Sequence, residues 1–297
     1  MIIFSDLHAH NFTDYHENRL GLILDTLDKV LLAAHEKKTS VIFCGDIVHK
    51  HGYVPTEVIK GLVSVFNRYP TVPFYALSGN HDQATRNSIE CPAHSFIDAL
   101  SAAIPNIQCI DWQRVSIEGV EVIGIPYLAS ASDFNRAVAH LNPSVGDHTK
   151  ILICHQTPTL LFNSFIPAQI DITNPELDKY DFVFMGHIHR YQEITKNRFM
   201  VGNPIVQDAG DCGDEKGYLT FENNVVYRVI LPSVLDQLVL DISDKRRSQV
   251  QKAEKIVTLD QRFYSESLED KFNAFCSLAK LDSFTIDIGK KILVCQD

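Results

Sequence analysis

The stretch "DFVFMGHIH", residues 181–189, is a short apolar run that stops at a glycine followed by two histidines. A run of this length with such a boundary reads as a buried strand. In extended backbone, residues i and i+2 project to the same side, so His187 and His189 can face one cation or two adjacent ones. Chance is the plain alternative, since thirteen histidines in 297 residues will produce some H-x-H pairs, and His8 and His10 form another. The pair gains meaning only from what ends the other strands.

Elsewhere, "MIIFS" runs into Asp6 and His8, and "SVIFC" into Gly45 and Asp46. "FYALS" runs into Gly79, Asn80, His81 and Asp82, and "KILIC" into His155. Five apolar runs therefore each end in a residue competent for metal ligation or acid–base work. Layered α/β sheets build their sites outside the carboxyl ends of their strands, where these side chains would gather.

Helical spacing fills the gaps between the strands. Leu20, Ile23, Leu24, Leu27, Val30, Leu31 and Ala34 predict an amphipathic helix within 17–38. Val58, Ile59, Leu62, Val63 and Phe66 predict a second after Pro55, and a third is expected over 92–103. The second half is richer in strands: "EVIGIPY", "KILICH", "DFVFMGH", "NRFMVGN" and the pair "GYLTFENNVVYRVILP", whose Asn223-Asn224 suits a tight hairpin. The fold class expected is α/β, a layered two-sheet β-sandwich flanked by helices, over residues 1–232. After Pro232 the character changes: a polar helix over 244–255, a second over 267–281 and a hairpin over 283–296 would form a short C-terminal appendage, residues 233–297.

Composition narrows the class. Apolar residues at 45% and charged residues at 22% are ordinary for a globular chain. No apolar run reaches the length of a membrane span, and the opening "MIIFSDLHAH" lacks the basic segment of a signal peptide. Seven scattered cysteines without C-x-x-C spacing suit reduced thiols and a cytoplasmic location, with Cys44 and Cys154 as core residues. The net charge of −10 counts against a non-specific nucleic-acid binder, although a carboxylate cluster around cations would carry part of it.

Asp, Asn and His donors without thiolate favour Mn²⁺, Fe²⁺ or Zn²⁺ at a reactive site over a structural zinc site. Asp6, His8, Asp46, Asn80, His155, His187 and His189 are too many for one ion and suit two. A carboxylate such as Asp46 can bridge a pair, and two-metal centres suit in-line displacement at phosphorus.

In this order, "SDLH", "GDIVH", "SGNHD", "CH" and "GHIH" resemble the five signature blocks of the calcineurin-like metallophosphoesterase superfamily, over roughly residues 1–232. The resemblance implies one metal held by Asp6, His8, Asp46 and His189, and another by Asp46, Asn80, His155 and His187. "GDIVHKHG", with His49 three residues after the bridging aspartate, and "VGNPIVQDAGDCGDEKGYLTFE" are similar to the SbcD-type DNA nucleases of double-strand-break repair.

That likeness implies a Mn²⁺-dependent DNA exonuclease or endonuclease. His81 would serve the leaving oxygen, His49 would orient the phosphate, and Asp82 would hold His81 by a hydrogen bond. It implies DNA as substrate, a coiled-coil ABC-type ATPase of SbcC type as partner, and a homodimer through helices near 56–69 and 93–103. No membrane partner is expected. The short region after residue 232 suits a compact version, as in viral exonuclease subunits, working in a host cytoplasm.

Two departures stand out. Ala9-His10-Asn11 replace the family's usual bulky residue and glycine, and the short appendage leaves less capping structure to shape DNA access. The same scaffold also serves small-molecule and phosphoprotein phosphoesterases, which the acidic charge and reduced cap favour. Non-catalytic scaffolds on this fold tend to lose ligands, whereas every ligand position is filled here. His10 and His51 read as surface or supporting histidines. His16, His35, His94, His140 and His148 read as structural or solvated. Arg86, Arg114 and Lys245-Arg246-Arg247 could touch phosphate, although such runs usually mark a solvated face.

Overall fold

Strand β1 (Ile2–Phe4) is apolar and wholly buried because the sheet that contains it is covered on both faces. In a computed structural model of the chain, β1 pairs in parallel with β2 (Val41–Phe43), and the series continues through β3 (Phe74–Ala76) and β4 (Ile107–Cys109). On the other side of β1 lie β11 (Gly217–Glu222) and β12 (Val225–Ile230), both in antiparallel pairing. The structure describes residues 1–12, 18–85, 87–88, 92–158, 170–171, 173–207, 211 and 214–231, and the backbone of 255–258, 283–287 and 292–296.

A second six-stranded sheet runs in the order β5 (Arg114–Ile117), β6 (Val120–Ile125), β7 (Lys150–His155), β8 (Phe182–Gly186), β10 (Arg198–Met200) and β9 (Gln192–Thr195). From β6 to β10 it is parallel, with antiparallel strands at its edges.

The two-residue period of each strand sorts its side chains into layers. Ile3, Ile42, Cys44, Leu77, Ile151, Ile153, Phe184 and Leu219 point inward and form the core between the sheets. Ile2, Phe4, Val41, Phe43 and Phe74 point outward, beneath α1 (Arg19–Lys37), α2 (Thr56–Phe66) and α3 (Phe96–Ala103). On the outer face of the second sheet, Ile123, Leu152, Val183 and Met185 pack with Phe134, Ala137 and Val138 of α4 (Ala131–His140). The expected sandwich flanked by helices is therefore the observed one. Cys44 and Cys154 are core residues, as expected.

Local signals set the element ends. Ser95 Oγ accepts the Asp98 N–H and the Asp98 carboxylate accepts the Ser95 N–H, so α3 starts at a capping box at Phe96, not at 92. Asn223 and Asn224 both have positive φ, 51° and 60°, as the two-residue hairpin between β11 and β12 requires. Among the described residues no helix is long and apolar enough to cross a membrane.

The chain divides into two compact units, Met1–Ile205 with Glu215–Leu231, and Val206–Asp214 with Pro232–Asp297. The second unit contains an antiparallel sheet in the order β13 (Lys255–Thr258), β15 (Ile292–Gln296), β14 (Ser283–Asp287). β14 and β15 form the hairpin expected over 283–296. The two helices expected over 244–255 and 267–281 lie outside the described residues, apart from Lys255, which opens β13.

Candidate metal centre

All seven candidate ligands converge at the carboxyl ends of β1, β2 and β3 from one sheet and β7 and β8 from the other. Backbone pairing continues past the strands to hold them: the Asp6 N–H donates to the Gly45 carbonyl and the His8 N–H to the Asp46 carbonyl, each at 2.9 Å. Two groups form whose donor atoms lie within 4.8 Å of one another, Asp6/His8/His189 and Asp46/His155/His187.

Asp46 stands between them. Its Oδ2 is 3.6 Å from His8 Nε2 and 3.2 Å from His155 Nε2, while Oδ1 accepts the His81 N–H at 2.7 Å. Asp6 Oδ1 is placed similarly, 3.8 Å from His8 Nε2 and 3.9 Å from His155 Nε2. Asn80 Oδ1 lies 3.2 Å from His155 Nε2 and 2.9 Å from His187 Nδ1, and His189 Nε2 is 3.1 Å from His8 Nε2.

These contacts fit divalent cations. His155 Nδ1 pairs with the Cys44 carbonyl at 2.7 Å, so a neutral ring presents only a lone pair at Nε2. The Asp46, Asn80 and Asp6 oxygens all converge on that nitrogen, so the cluster calls for a positive charge there, a divalent cation or, without one, a second proton on the His155 ring. The Nε2 atoms of His8 and His189, 3.1 Å apart, can share a proton between the rings or face one cation together. Oxygen and imidazole donors of this kind suit Mn²⁺, Fe²⁺ or Zn²⁺.

A family model described as calcineurin-like phosphoesterase matches residues 1–191. The chain belongs to the calcineurin-like phosphoesterase family. This is a family of phosphoester hydrolases that use divalent metals. Protein 244L of Invertebrate iridescent virus 6, named as a phosphoesterase, is 26% identical over 226 residues, 72% of this chain and 77% of its own length. Among solved structures, TT1561 of Thermus thermophilus covers 77% of this chain and 97% of its own at 12% identity, with a TM-score of 0.45. Nuclease MPE of Pseudomonas putida covers 52% of this chain and 60% of its own at 20% identity, with a TM-score of 0.31.

The phosphoesterase holds this centre under backbone strain. Asp6, His8, Asp46 and His187 all have positive φ, from 47° to 87°, a region costly for residues with a Cβ. Glycines make the close approach possible. A Cβ on Gly79 would fall 2.1 Å from Asp46 Oδ1, and one on Gly45, at φ 103°, would fall 2.4 Å from His155 Nδ1.

Charge is distributed unequally. Burial opposes ionisation of His155, but Asp46 and Asp6 overcome it and push the imidazole up to about 9. Burial and then the His155 charge push His187 down to about 3. His8 is held well below the usual imidazole range by burial. Burial raises Asp6, whereas for Asp46 the adjoining His155 outweighs burial and keeps the carboxyl below its usual range.

His81 and His49 sit beside the metal ligands, and with His8 they form a third group of donor atoms within 4.8 Å. The His8 ring centroid is 4.7 Å from that of His81 and 5.3 Å from that of His49. Burial and the neighbouring His81 push His49 down to about 4.

One expected role is corrected. Asp82 does not hold His81. Its Oδ2 accepts the N–H groups of Asp46 at 2.7 Å and Gly79 at 3.0 Å, and its Oδ1 those of Ile47 at 2.9 Å and Val48 at 3.2 Å. Burial and the Asp46 charge push this carboxyl up, against four donors that favour its anion. His81 Nδ1 pairs instead with the backbone carbonyl of His49.

The remaining candidates separate clearly. His10, expected at the surface or in support, is 7% exposed and packs 5.2 Å from the His49 ring. His51 stacks on His81 at 4.9 Å and 17°. His148 bonds Ser144, and Arg114 pairs with Glu121 at 3.2 Å and with the Asn142 carbonyl, so both are structural. His16, Arg86 and Lys245-Arg246-Arg247 lie outside the described residues. Tyr127 is an addition: its ring lies 5.4 Å from His187 and 6.2 Å from His155. Its signal was its position at the end of "EVIGIPY", a sixth strand end.

Proposed function

We propose that this phosphoesterase is a Mn²⁺-dependent DNA nuclease of SbcD type that hydrolyses phosphodiesters. The observation that carries phosphodiester chemistry is Asp46 Oδ2 between His8 and His155, with His81 alongside. Asp6, His8, Asp46 and His189 would hold one divalent ion, and Asp46, Asn80, His155 and His187 the other. Such a pair supplies Lewis-acid polarisation of the phosphoryl group and a water acidic enough to act as nucleophile near neutral pH.

The protein's own groups do the rest. Because the His49 carbonyl accepts from Nδ1 of His81, the protonated ring carries its second proton at Nε2. From Nε2 it can protonate the oxygen that leaves phosphorus. Asp82, by tying four amides together, fixes the loops that carry Asp46 and Asn80.

DNA as substrate is supported by the resemblance of the His49 and His81 segments to SbcD-type nucleases. The same likeness supports an SbcC-type ATPase partner and a homodimer through the helices near 56–69 and 93–103. A net charge of −10 favours the second reading, a phosphoesterase acting on small molecules or phosphoproteins.

One assay decides between them. Purified protein with Mn²⁺ is given end-labelled single- and double-stranded DNA, bis-p-nitrophenyl phosphate and p-nitrophenyl phosphate. Metal-dependent cleavage of DNA, lost in His81→Ala, is the expected result. Hydrolysis of the small esters with DNA untouched would overturn the nuclease reading.

A further inference from the structure

A cavity of about 330 Å³ opens beside the metal centre and shares His81 and Asp82 with it. Its remaining walls come from the loop after β2, from Ile59 of α2, from the segment between β3 and α3, and from Phe96 and Ala99 of α3. Tyr53, Ile59 and Phe96 give it flat or apolar surface, and Lys50 and His94 line it with polar groups. Tyr53 is 62% exposed, and Lys50 Nζ lies 5.6 Å from the centre of its ring. Tyr53 thus presents an open aromatic face in a cavity that His81 also lines.

Position assigns the occupant. On the proposed reading His81 serves the leaving oxygen, and His81 itself lines the cavity, so a group carried on that oxygen has the cavity within reach. Its volume is at the low end of small-ligand clefts, which suits one ring system and excludes a duplex. Its chemistry is poor for a second phosphate, since aromatic and aliphatic surface predominates around a single lysine. Tyr53 offers instead a π-face, on which every nucleobase can stack.

We infer that this cavity, with Tyr53 as its specificity-determining residue, binds the nucleobase on the leaving side of the scissile phosphate. The inference rests on the phosphodiesterase reading above. It adds that the leaving nucleotide is held unpaired and swung out of its stack. Substrates with frayed or single-stranded ends then meet a smaller unstacking cost than intact duplex.

The test is equilibrium binding to the full chain by calorimetry, with deoxyadenosine 3′-monophosphate, whose 3′-oxygen stands for the leaving oxygen of the proposed reaction, and its base-less tetrahydrofuran analogue. Stacking on one aromatic side chain predicts a preference of at least about fivefold for the nucleotide. Tyr53→Ala should reduce that ratio to one, and Tyr53→Phe should retain it. Circular dichroism melts check that each variant is folded, and bis-p-nitrophenyl phosphate hydrolysis is followed alongside. Equal affinity for the two ligands in the unaltered chain, or a ratio unchanged in Tyr53→Ala, overturns the inference even if diesters are hydrolysed. A preference that depends on Tyr53 without diester hydrolysis upholds the base pocket and sinks the nuclease reading instead. A change of oligomeric state in Tyr53→Ala with the ratio intact would give the cavity to a second copy of the chain.

Discussion

Two groups of histidines meet at the carboxyl ends of the strands, and different partners hold them. His8, His155, His187 and His189 face the oxygens of Asp6, Asp46 and Asn80 within a strained frame in which Asp6, His8, Asp46 and His155 are buried and His187, His189 and Asn80 half-buried. His10, His49, His51 and His81 face mostly one another, through ring contacts of 4.9 to 5.4 Å, and His81 among them lines the cavity. The first group is built to be satisfied by positive charge. Among the described residues each group has one buried ring nitrogen without a hydrogen-bond partner, Nδ1 of His8 in the first and Nδ1 of His49 in the second, while His81 gives its Nδ1 to the His49 carbonyl. On the proposed reading, neighbouring imidazoles on one scaffold are divided between ligation and proton transfer by what surrounds them, not by residue type.

Variants can challenge that division. The largest effect is expected from Asp46→Ala, which touches both ligand groups. Activity should fall by at least about 10³-fold, and the metal content measured by mass spectrometry should drop. Retention of full metal content would undo the first half of the division.

Asp82→Ala comes next and should act on stability. It strips the acceptor from four buried N–H groups, so the urea midpoint should fall by the equivalent of at least about 3 kcal/mol. Asp82→Asn keeps one carbonyl oxygen and should lie between. An unchanged midpoint would mean that water replaces the carboxylate and that the loops need no such tie.

His81→Ala separates the two groups more finely. It should lower kcat by about 10²-fold while the metal content stays that of the unaltered chain. His49→Ala is the smallest, about tenfold in kcat/KM by loss of one contact near the phosphate. If either variant loses metal, the second histidine group belongs with the first.

Much of the centre was legible because each ligand follows a run that only a buried strand explains. Every one of Asp6, Asp46, Asn80, His155 and His187 stands at or just after such a run. Elements with little buried surface were not legible. In β5 only Ile117 is buried, β9 has no buried residue, and α4 buries Phe134, Ala137 and Val138 alone. Too few apolar positions recur there to mark a period.

The task of Asp82 was misread for another reason. Sequence shows a carboxylate beside His81, but its partners are backbone amides up to 36 residues away, and amides leave no trace in side-chain pattern. Tyr53 and Tyr127 likewise matter through what faces them, which only the packed sheets and helices define.

Everything proposed for the site depends on the first histidine group and its carboxylates holding a pair of divalent ions. Titration of metal-free protein with Mn²⁺, followed by electron paramagnetic resonance, reads that pair out. Two ions per chain are expected, with a spectrum that shows coupling between neighbouring Mn²⁺ centres and loses it in Asp46→Ala. A single ion with an isolated Mn²⁺ spectrum, or no binding at all, would refute the paired centre.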